Sequence, residues 1–136
     1  MAGYAQTPLA KKLGIKDGYV VKLVNEPKYY FDLFSDLPAN LSFTQETSLH
    51  SIDFIHLFSS SIEHLITHAE ILKDELKKDG LLWVSWPKAS SGITTDLKRE
   101  LVRNHLLSIG LVDIKVCAVD EKWSALKFVY RSKDRN

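Results

Sequence analysis

The residue types best suited to binding chemistry lie in the loop that follows the most apolar run of the chain. Lys88 precedes a stretch rich in Ser, Gly and Thr, and a predicted helix begins directly after it. Free backbone amides and the helix dipole at such a position favour an anion, so one interpretation is a phosphate or carboxylate site at Lys88, Thr94 and Thr95. The other interpretation is that Thr94, Thr95 or Asp96 only caps the helix. The loop lacks the spacing of a nucleotide-binding P-loop.

Two histidines have the spacing of metal ligands. His64 and His68 stand four residues apart on a predicted helix, and Glu75 lies on the same stripe. Because no His, Cys or Asp cluster elsewhere in the sequence supplies a third ligand, we expect solvated histidines and no metal site. Cys117 is the single cysteine, so it forms no internal disulfide and is expected to be a structural thiol. No catalytic residue is assigned from the sequence.

The element that must position these residues is the apolar run 81–86. It contains one hydroxyl and no charge, which is typical of a central strand covered on both faces. Pro87 ends the strand because proline cannot donate to a sheet ladder. Further strands are predicted at 19–24, 52–58, 111–119 and 123–130, with a weak edge strand at 41–45, and helices at 7–14, 28–34, 60–78 and 95–108.

The predicted helix before the central strand carries a signal at each end. Ser60 and Glu63 have the spacing of a capping box, and Gly80 is predicted to stop the helix in the left-handed conformation. Strands that alternate with helices and close in a hairpin predict an α/β fold. We expect a three-layer open sheet, mostly parallel, with an antiparallel C-terminal strand, in one domain spanning 1–136.

The composition excludes several classes of protein. Lys and Arg number 18 against 17 acidic residues, which leaves a net charge of +1. No global field therefore attracts nucleic acid or an anionic membrane. No apolar run approaches the ~20 residues that span a bilayer, and the first residues do not have the pattern of a signal peptide. A cytoplasmic protein is expected.

The order of these segments resembles class I AdoMet-dependent methyltransferases. A helix, the turn LGIKDG at 13–18 and the strand at 19–24 are similar to the entry of that family, and LKDELKKDGLLWVSWP at 72–87 is similar to its later helix, turn and strand. The resemblance implies a Rossmann-type sheet whose last strand inserts beside the central one. Such a sheet gathers a candidate ligand-binding rim at the carboxyl ends of its strands: Asn25, Glu26, Ser59, Ser60, Trp86, Lys88, Thr94, Thr95, Asp120 and Trp123.

One stretch departs from the pattern of that family. The family's first strand ends in an acidic residue and a Gly-rich loop, because glycine lets the backbone approach the methionine part of the cofactor. Residues 24–30 contain no glycine and two tyrosines, and Glu46 is the only candidate for holding the ribose. We therefore expect no cofactor, AdoMet included.

A closer resemblance is to a family of short bacterial proteins that is defined as a domain of unknown function. It is carried by three blocks, at 3–16, 86–88 and 116–124, and it implies no activity. The main hypothesis is a non-enzymatic, methyltransferase-like module that binds a small ligand, with an anion as one candidate, or a protein partner. The alternatives are an AdoMet-dependent methyltransferase with an atypical cofactor loop, and a structural homo-oligomer that pairs through the edge strand at 41–45 or the terminal hairpin.

Overall fold

The computed structural model describes residues 7–135 and contains one six-stranded sheet. The strands are β1 Val20–Val24, β2 Ser42–Phe43, β3 Ile52–Phe58, β4 Leu76–Pro87, β5 Leu111–Ala118 and β6 Trp123–Tyr130, and the α-helices are α1 Leu9–Leu13, α2 Ile62–Glu75 and α3 Arg99–Ser108. The order across the sheet is β2-β1-β3-β4-β6-β5. The first four strands are parallel, and β6 inserts antiparallel between β4 and β5. The predicted mixed sheet is confirmed.

Helices cover both faces of the sheet, which gives the three predicted layers. On one face, α2 and α3 pack Leu65 and Val102 against Ile55 and the rest of a large apolar cluster. On the other face, α1 and a 3₁₀ turn, Tyr30–Leu33, cover a second cluster that includes Trp83. Within residues 7–135 there is no helix with both the length and the apolar character needed to cross a bilayer.

The central strand is longer than its apolar run. It begins at Leu76, where the sequence predicts helix, because Leu76 pairs with Ile52 before the register shifts and Leu81 pairs with Phe54. Gly80 is not left-handed, so its predicted role as a helix stop is wrong. A Cβ at that position would lie 2.7 Å from a methyl carbon of Leu76 and 3.0 Å from the carbonyl oxygen of Asp53. Close packing inside the strand is what requires glycine there.

Two helix starts also differ from the prediction. The N-cap of α2 is Ser61, whose hydroxyl accepts a hydrogen bond from the backbone N–H of His64 at 3.1 Å, and not Ser60. Helix α3 starts at Arg99, four residues after the predicted start, and no side chain caps it. Asp96 instead accepts from the backbone N–H of Ile62 at 2.9 Å, so this carboxylate joins the loop before α3 to the start of α2.

Candidate functional site

The sheet has a switch point between β1 and β3, which is the usual kind of place for a ligand in an open α/β sheet. Strand β1 connects outward to the edge strand β2, whereas β3 connects in the opposite direction to β4, so a crevice opens at the carboxyl ends of β1 and β3. A groove of about 210 Å³ lies between β1 and β2, and we call it the β1–β2 groove. It is lined by Val21, Leu23, Glu26, Phe31, Phe43, Thr44 and Gln45.

Two aromatic rings form the outer wall of the β1–β2 groove. Phe31 and Phe43 contact edge to face, with ring centroids 5.4 Å apart, and each side chain is about half exposed. The segment after β2 is fixed against β1, because the side-chain amide of Gln45 donates to the carbonyl of Leu23 at 3.1 Å. The groove therefore presents aromatic surface on a backbone that is held in place.

The loop after β1 makes the sharp turn of a glycine loop with a different residue. Asn25 has a φ of 60°, in the left-handed region that glycine enters freely and that asparagine tolerates better than most residues. Its side-chain amide donates to the carbonyl of Phe58 at 2.9 Å, which joins the carboxyl ends of β1 and β3. The chain then enters the 3₁₀ turn Tyr30–Leu33 in place of the α-helix predicted at 28–34.

A buried polar network holds that 3₁₀ turn on the sheet. The hydroxyl of Tyr30 lies 3.0 Å from Nδ1 of His56, and Nε2 of His56 lies 2.7 Å from the hydroxyl of Ser85. All three residues are buried. Burial lowers the pKa of His56 to about 3 and raises the pKa of Tyr30, so both groups are neutral at pH 7. The network positions the turn that carries Phe31.

A buried ion pair anchors the chain just beyond β2. Nζ of Lys22 on β1 lies 2.5 Å from Oε1 of Glu75, the last residue of α2, and both side chains are buried. The same ammonium donates to the backbone carbonyl of Glu46 at 3.2 Å. The side chain of Glu46 itself is exposed. This ion pair therefore fixes the backbone from which the Glu46 carboxylate projects.

A second and larger cavity lies beyond the carboxyl end of β4, next to the first turn of α3. Its volume is about 530 Å³, and we call it the α3 cavity. It is lined by Trp86, Pro87, Ala89, Ile93, Thr94, Thr95, Leu97, Lys98 and Arg99.

The structure separates the predicted rim into several places. Glu26 lines the β1–β2 groove, whereas Trp86, Thr94 and Thr95 line the α3 cavity. Lys88 lines neither of these two sites, and its backbone N–H donates to the carbonyl of the hairpin residue Lys122 at 2.8 Å. The predicted grouping of Lys88 with Thr94 and Thr95 in one lining is therefore not seen.

The two predicted tryptophans lie on opposite faces of the sheet. Trp123 pairs with Pro87, next to Trp86, as the inserted last strand requires, but Trp86 joins the apolar cluster under α2 and α3 while Trp123 joins the other cluster. Oδ1 of Asp120 accepts from the backbone N–H groups of Lys122 and Trp123, at 2.8 and 2.9 Å. Asp120 thus closes the hairpin turn.

Ser59 and Ser60, the two predicted serines after β3, line neither the groove nor the cavity. Ser59 is buried, its backbone N–H donates to the carbonyl of Ser85 at 3.0 Å, and its hydroxyl lies 2.5 Å from Nδ1 of His64. Burial lowers the pKa of that histidine. Ser60 is half-buried.

Sequence reasoning missed the residues that give both sites their character. Phe31 and Phe43 lie in irregular or very short segments, where aromatic residues produce no periodic pattern. Lys98 and Arg99 look in the sequence like an ordinary solvated pair. The available signal was Ile93, an apolar residue in a loop that otherwise reads as polar, five residues before Lys98.

The fold is shared with solved methyltransferase structures. A SAM-dependent methyltransferase from Aquifex aeolicus superimposes with a TM-score of 0.61 at 15% identity, over 88% of this chain and 86% of that one. Magnesium protoporphyrin IX methyltransferase from Synechocystis, solved with bound SAH, gives 0.59 at 10% identity, over 90% and 78%. A Haloferax volcanii protein, described as a methyltransferase and solved with the Trm112 methyltransferase activator, gives 0.64 at 10%, over 90% and 87%.

These likenesses show a class I methyltransferase fold. No protein-family model and no curated protein sequence matches the chain. The expectation of a chain without cofactor is corrected by the neighbours, because one protein with this fold is a SAM-dependent methyltransferase and another is a methyltransferase solved with bound SAH. The left-handed turn that glycine would make is made here by Asn25, which keeps its side chain.

Proposed function

We propose that the chain is an AdoMet-dependent methyltransferase with an atypical cofactor loop, and that it holds AdoMet in the β1–β2 groove. One observation carries the proposal. A groove with aromatic walls opens at the carboxyl ends of β1 and β2, next to the switch point of a sheet whose fold is shared with SAM-dependent methyltransferases.

The lining of the groove fits the nucleoside part of AdoMet. Phe31 and Phe43 offer apolar rings to adenine, and the exposed carboxylate of Glu26 in the lining can accept hydrogen bonds from ribose hydroxyls. Glu46 follows the lining residue Gln45 and carries a second exposed carboxylate. Two carboxylates also complement the positive charges of the sulfonium and amino groups. When bound, AdoMet supplies an electrophilic methyl group. The chain's own residues bind and orient it, with Lys22 holding the backbone of Glu46 in place.

The size of the groove predicts modest affinity. Its volume of about 210 Å³ is below the ~300–1,000 Å³ of sites that enclose a small molecule. The cofactor would therefore lie with one side exposed to solvent. A dissociation constant between about 10 and 300 μM is expected, which corresponds to roughly 5 to 7 kcal/mol of binding free energy.

Calorimetric titration with AdoMet and S-adenosylhomocysteine tests the site. We expect both to bind, and we expect Phe43→Ala to weaken binding about tenfold because one aromatic wall is lost. Leu49→Ala is the matched control, since Leu49 is more exposed than Phe43 and does not line the groove. Its affinity should equal that of the wild type.

Two outcomes would contradict this function. If AdoMet does not bind up to millimolar concentration, it is not the cofactor of this chain. If Phe43→Ala and the wild type bind AdoMet with equal affinity, the cofactor does not bind in the β1–β2 groove. Methyl transfer is examined separately with methyl-labelled AdoMet and cell extract. Binding without label transfer would favour a non-enzymatic module that uses AdoMet as a ligand.

A protein partner is a second proposal, supported by a neighbour that was solved with an activator protein. In this chain, edge strand β2 leaves Phe43 half exposed and edge strand β5 leaves Ile114 and Val116 half exposed. We expect light scattering to show a mass that rises with concentration from 15.5 kDa towards that of a homodimer. A constant monomer mass would reject the homodimer. Cytoplasmic location and membership of the short bacterial family are proposals that rest on the sequence pattern.

A further inference from the structure

The α3 cavity is separate from the β1–β2 groove. The two share no lining residue. The α3 cavity has a volume of about 530 Å³, which falls within the ~300–1,000 Å³ usual for small-molecule sites. It lies beyond β4, on the side of the sheet that α3 covers, whereas the groove lies between β1 and β2.

The floor of the α3 cavity is apolar and rigid. Trp86 is 7% exposed and Leu97 is 3% exposed, and both belong to the apolar cluster that packs under α2 and α3. Asp96 fixes the intervening loop through its hydrogen bond to the backbone of Ile62. A flat apolar body can contact such a floor without reordering it, and the exposed part of the Trp86 indole adds an aromatic contact.

The rim of the α3 cavity is cationic. Lys98 and Arg99 are exposed, and no acidic residue is among the lining residues. Across the part of the chain that the structure describes, neither residue takes part in a salt bridge. The hydroxyl oxygen of Thr95 accepts from the backbone N–H of Leu97 at 3.0 Å, which leaves its proton free to be donated. All the charge on the lining therefore has one sign.

We propose that the α3 cavity binds a small aromatic carboxylate, whose ring lies on the floor at Trp86 and whose carboxylate contacts Lys98 and Arg99. The aromatic floor of the cavity matches the ring of such a molecule, and the two cations on the rim match its carboxylate. Guanidinium and ammonium groups give charge-assisted hydrogen bonds to a carboxylate. Because the lining residues are distinct, this site forms whether or not AdoMet binds.

A pair of probes with the same ring tests the site. We expect 2-naphthoate to bind in calorimetric titrations at least about fivefold more tightly than the neutral 2-naphthalenemethanol. The Lys98→Ala/Arg99→Ala double variant should weaken 2-naphthoate about tenfold and leave the neutral probe unchanged. The matched control is Lys11→Ala/Lys28→Ala, which removes the same net charge from two exposed lysines elsewhere. It should bind both probes like the wild type.

A second variant tests the cavity itself. Ala89 lines the cavity and is exposed, so Ala89→Phe fills space without disturbing the core and should weaken both probes. The thermal midpoints of all variants show that each is folded. Saturating AdoMet should leave the affinity for 2-naphthoate unchanged.

The inference is overturned by any of three results. They are no binding of 2-naphthoate up to about 5 mM, equal binding of the charged and neutral probes, and an Ala89→Phe variant with unaltered affinity. If 2-naphthoate binds and AdoMet does not, the proposed function is contradicted and the proposal for the α3 cavity is not.

Discussion

Replacing Glu75 by Leu is expected to lower the free energy of unfolding by about 3–5 kcal/mol, because it leaves the ammonium of Lys22 buried and without its counter-ion. Glu75 is 2% exposed and Lys22 is 6% exposed. Small domains have a total stability of about 5–15 kcal/mol, so this loss is a large part of it. Urea unfolding followed by circular dichroism measures the change. The midpoints of the variant and the wild type are compared on condition that the free energy of unfolding depends on urea concentration with the same slope in both.

Glu75 is the last residue of α2, where a negative charge is unfavourable because the helix dipole is negative at that end. Leucine removes this unfavourable interaction, so the expected loss of stability comes from the unpaired ammonium of Lys22. The pair also positions the backbone of Glu46, so Glu75→Leu should weaken AdoMet binding under conditions where the variant is still folded.

Two control variants separate the coupling of the charges of Lys22 and Glu75 from the loss of side-chain packing at Glu75. The double variant Lys22→Met/Glu75→Leu removes both charges and should recover most of the stability. Lys77 and Asp53 form a more exposed pair at 3.0 Å, and Lys77→Met should cost less than about 1 kcal/mol. A double variant as unstable as Glu75→Leu would show that the two charges are not coupled.

The arrangement of strands could be predicted from sequence because apolar runs and turn residues dictate it. Residues 81–86 have the composition of a doubly covered strand, and the short hairpin loop at 120–122 makes β5 and β6 antiparallel. The start of β4 could not be predicted in the same way. Leu72 and Leu76 continue the helical spacing, and only the pairing of Leu76 with Ile52, distant in sequence, makes that segment extended.

The candidate site was predictable as a rim and not as a set of contacts. Parallel strands place their carboxyl ends together, which correctly puts the end of β4 beside the start of β6. The register of pairing then decides the face on which each side chain lies. Trp123 pairs with Pro87, one residue beyond Trp86, so the two tryptophans lie on opposite faces. The side chains that line the groove and the cavity come from loops without periodicity, such as Phe31 and Lys98.

His56 gives the second large effect, a loss of stability in acid. Burial lowers the pKa of His56 to about 3, below the value of about 6.5 in the unfolded chain. Between these two values the unfolded chain binds a proton that the folded chain does not bind. The free energy of unfolding therefore falls by about 1.4 kcal/mol per unit as the pH drops below 6.5, which amounts to about 2 kcal/mol between pH 7 and pH 5.

The physical reason lies in the surroundings of the imidazole. A neutral ring has one donor and one acceptor, and the hydroxyls of Tyr30 and Ser85 satisfy both nitrogens. The ring also stacks on Phe58, with centroids 4.2 Å apart. An imidazolium would also need a counter-charge, and no charged group perturbs the pKa of His56.

Urea unfolding of the wild type and of His56→Gln at pH 7 and pH 5 isolates this contribution. Glutamine keeps a donor and an acceptor but does not titrate, so the variant should lose about 2 kcal/mol less than the wild type over this range. His64, whose pKa burial also lowers, acts in the same direction in both proteins and cancels in the comparison. If His56→Gln is too unstable to measure, NMR titration of the wild type replaces it, and the His56 ring signals should stay constant down to pH 4. If the His56 ring instead titrates with a pKa near its ordinary value of about 6.5, the network beneath the β1–β2 groove is open to water. The 3₁₀ turn that carries Phe31 would then lack the rigid support on which the proposed cofactor site depends.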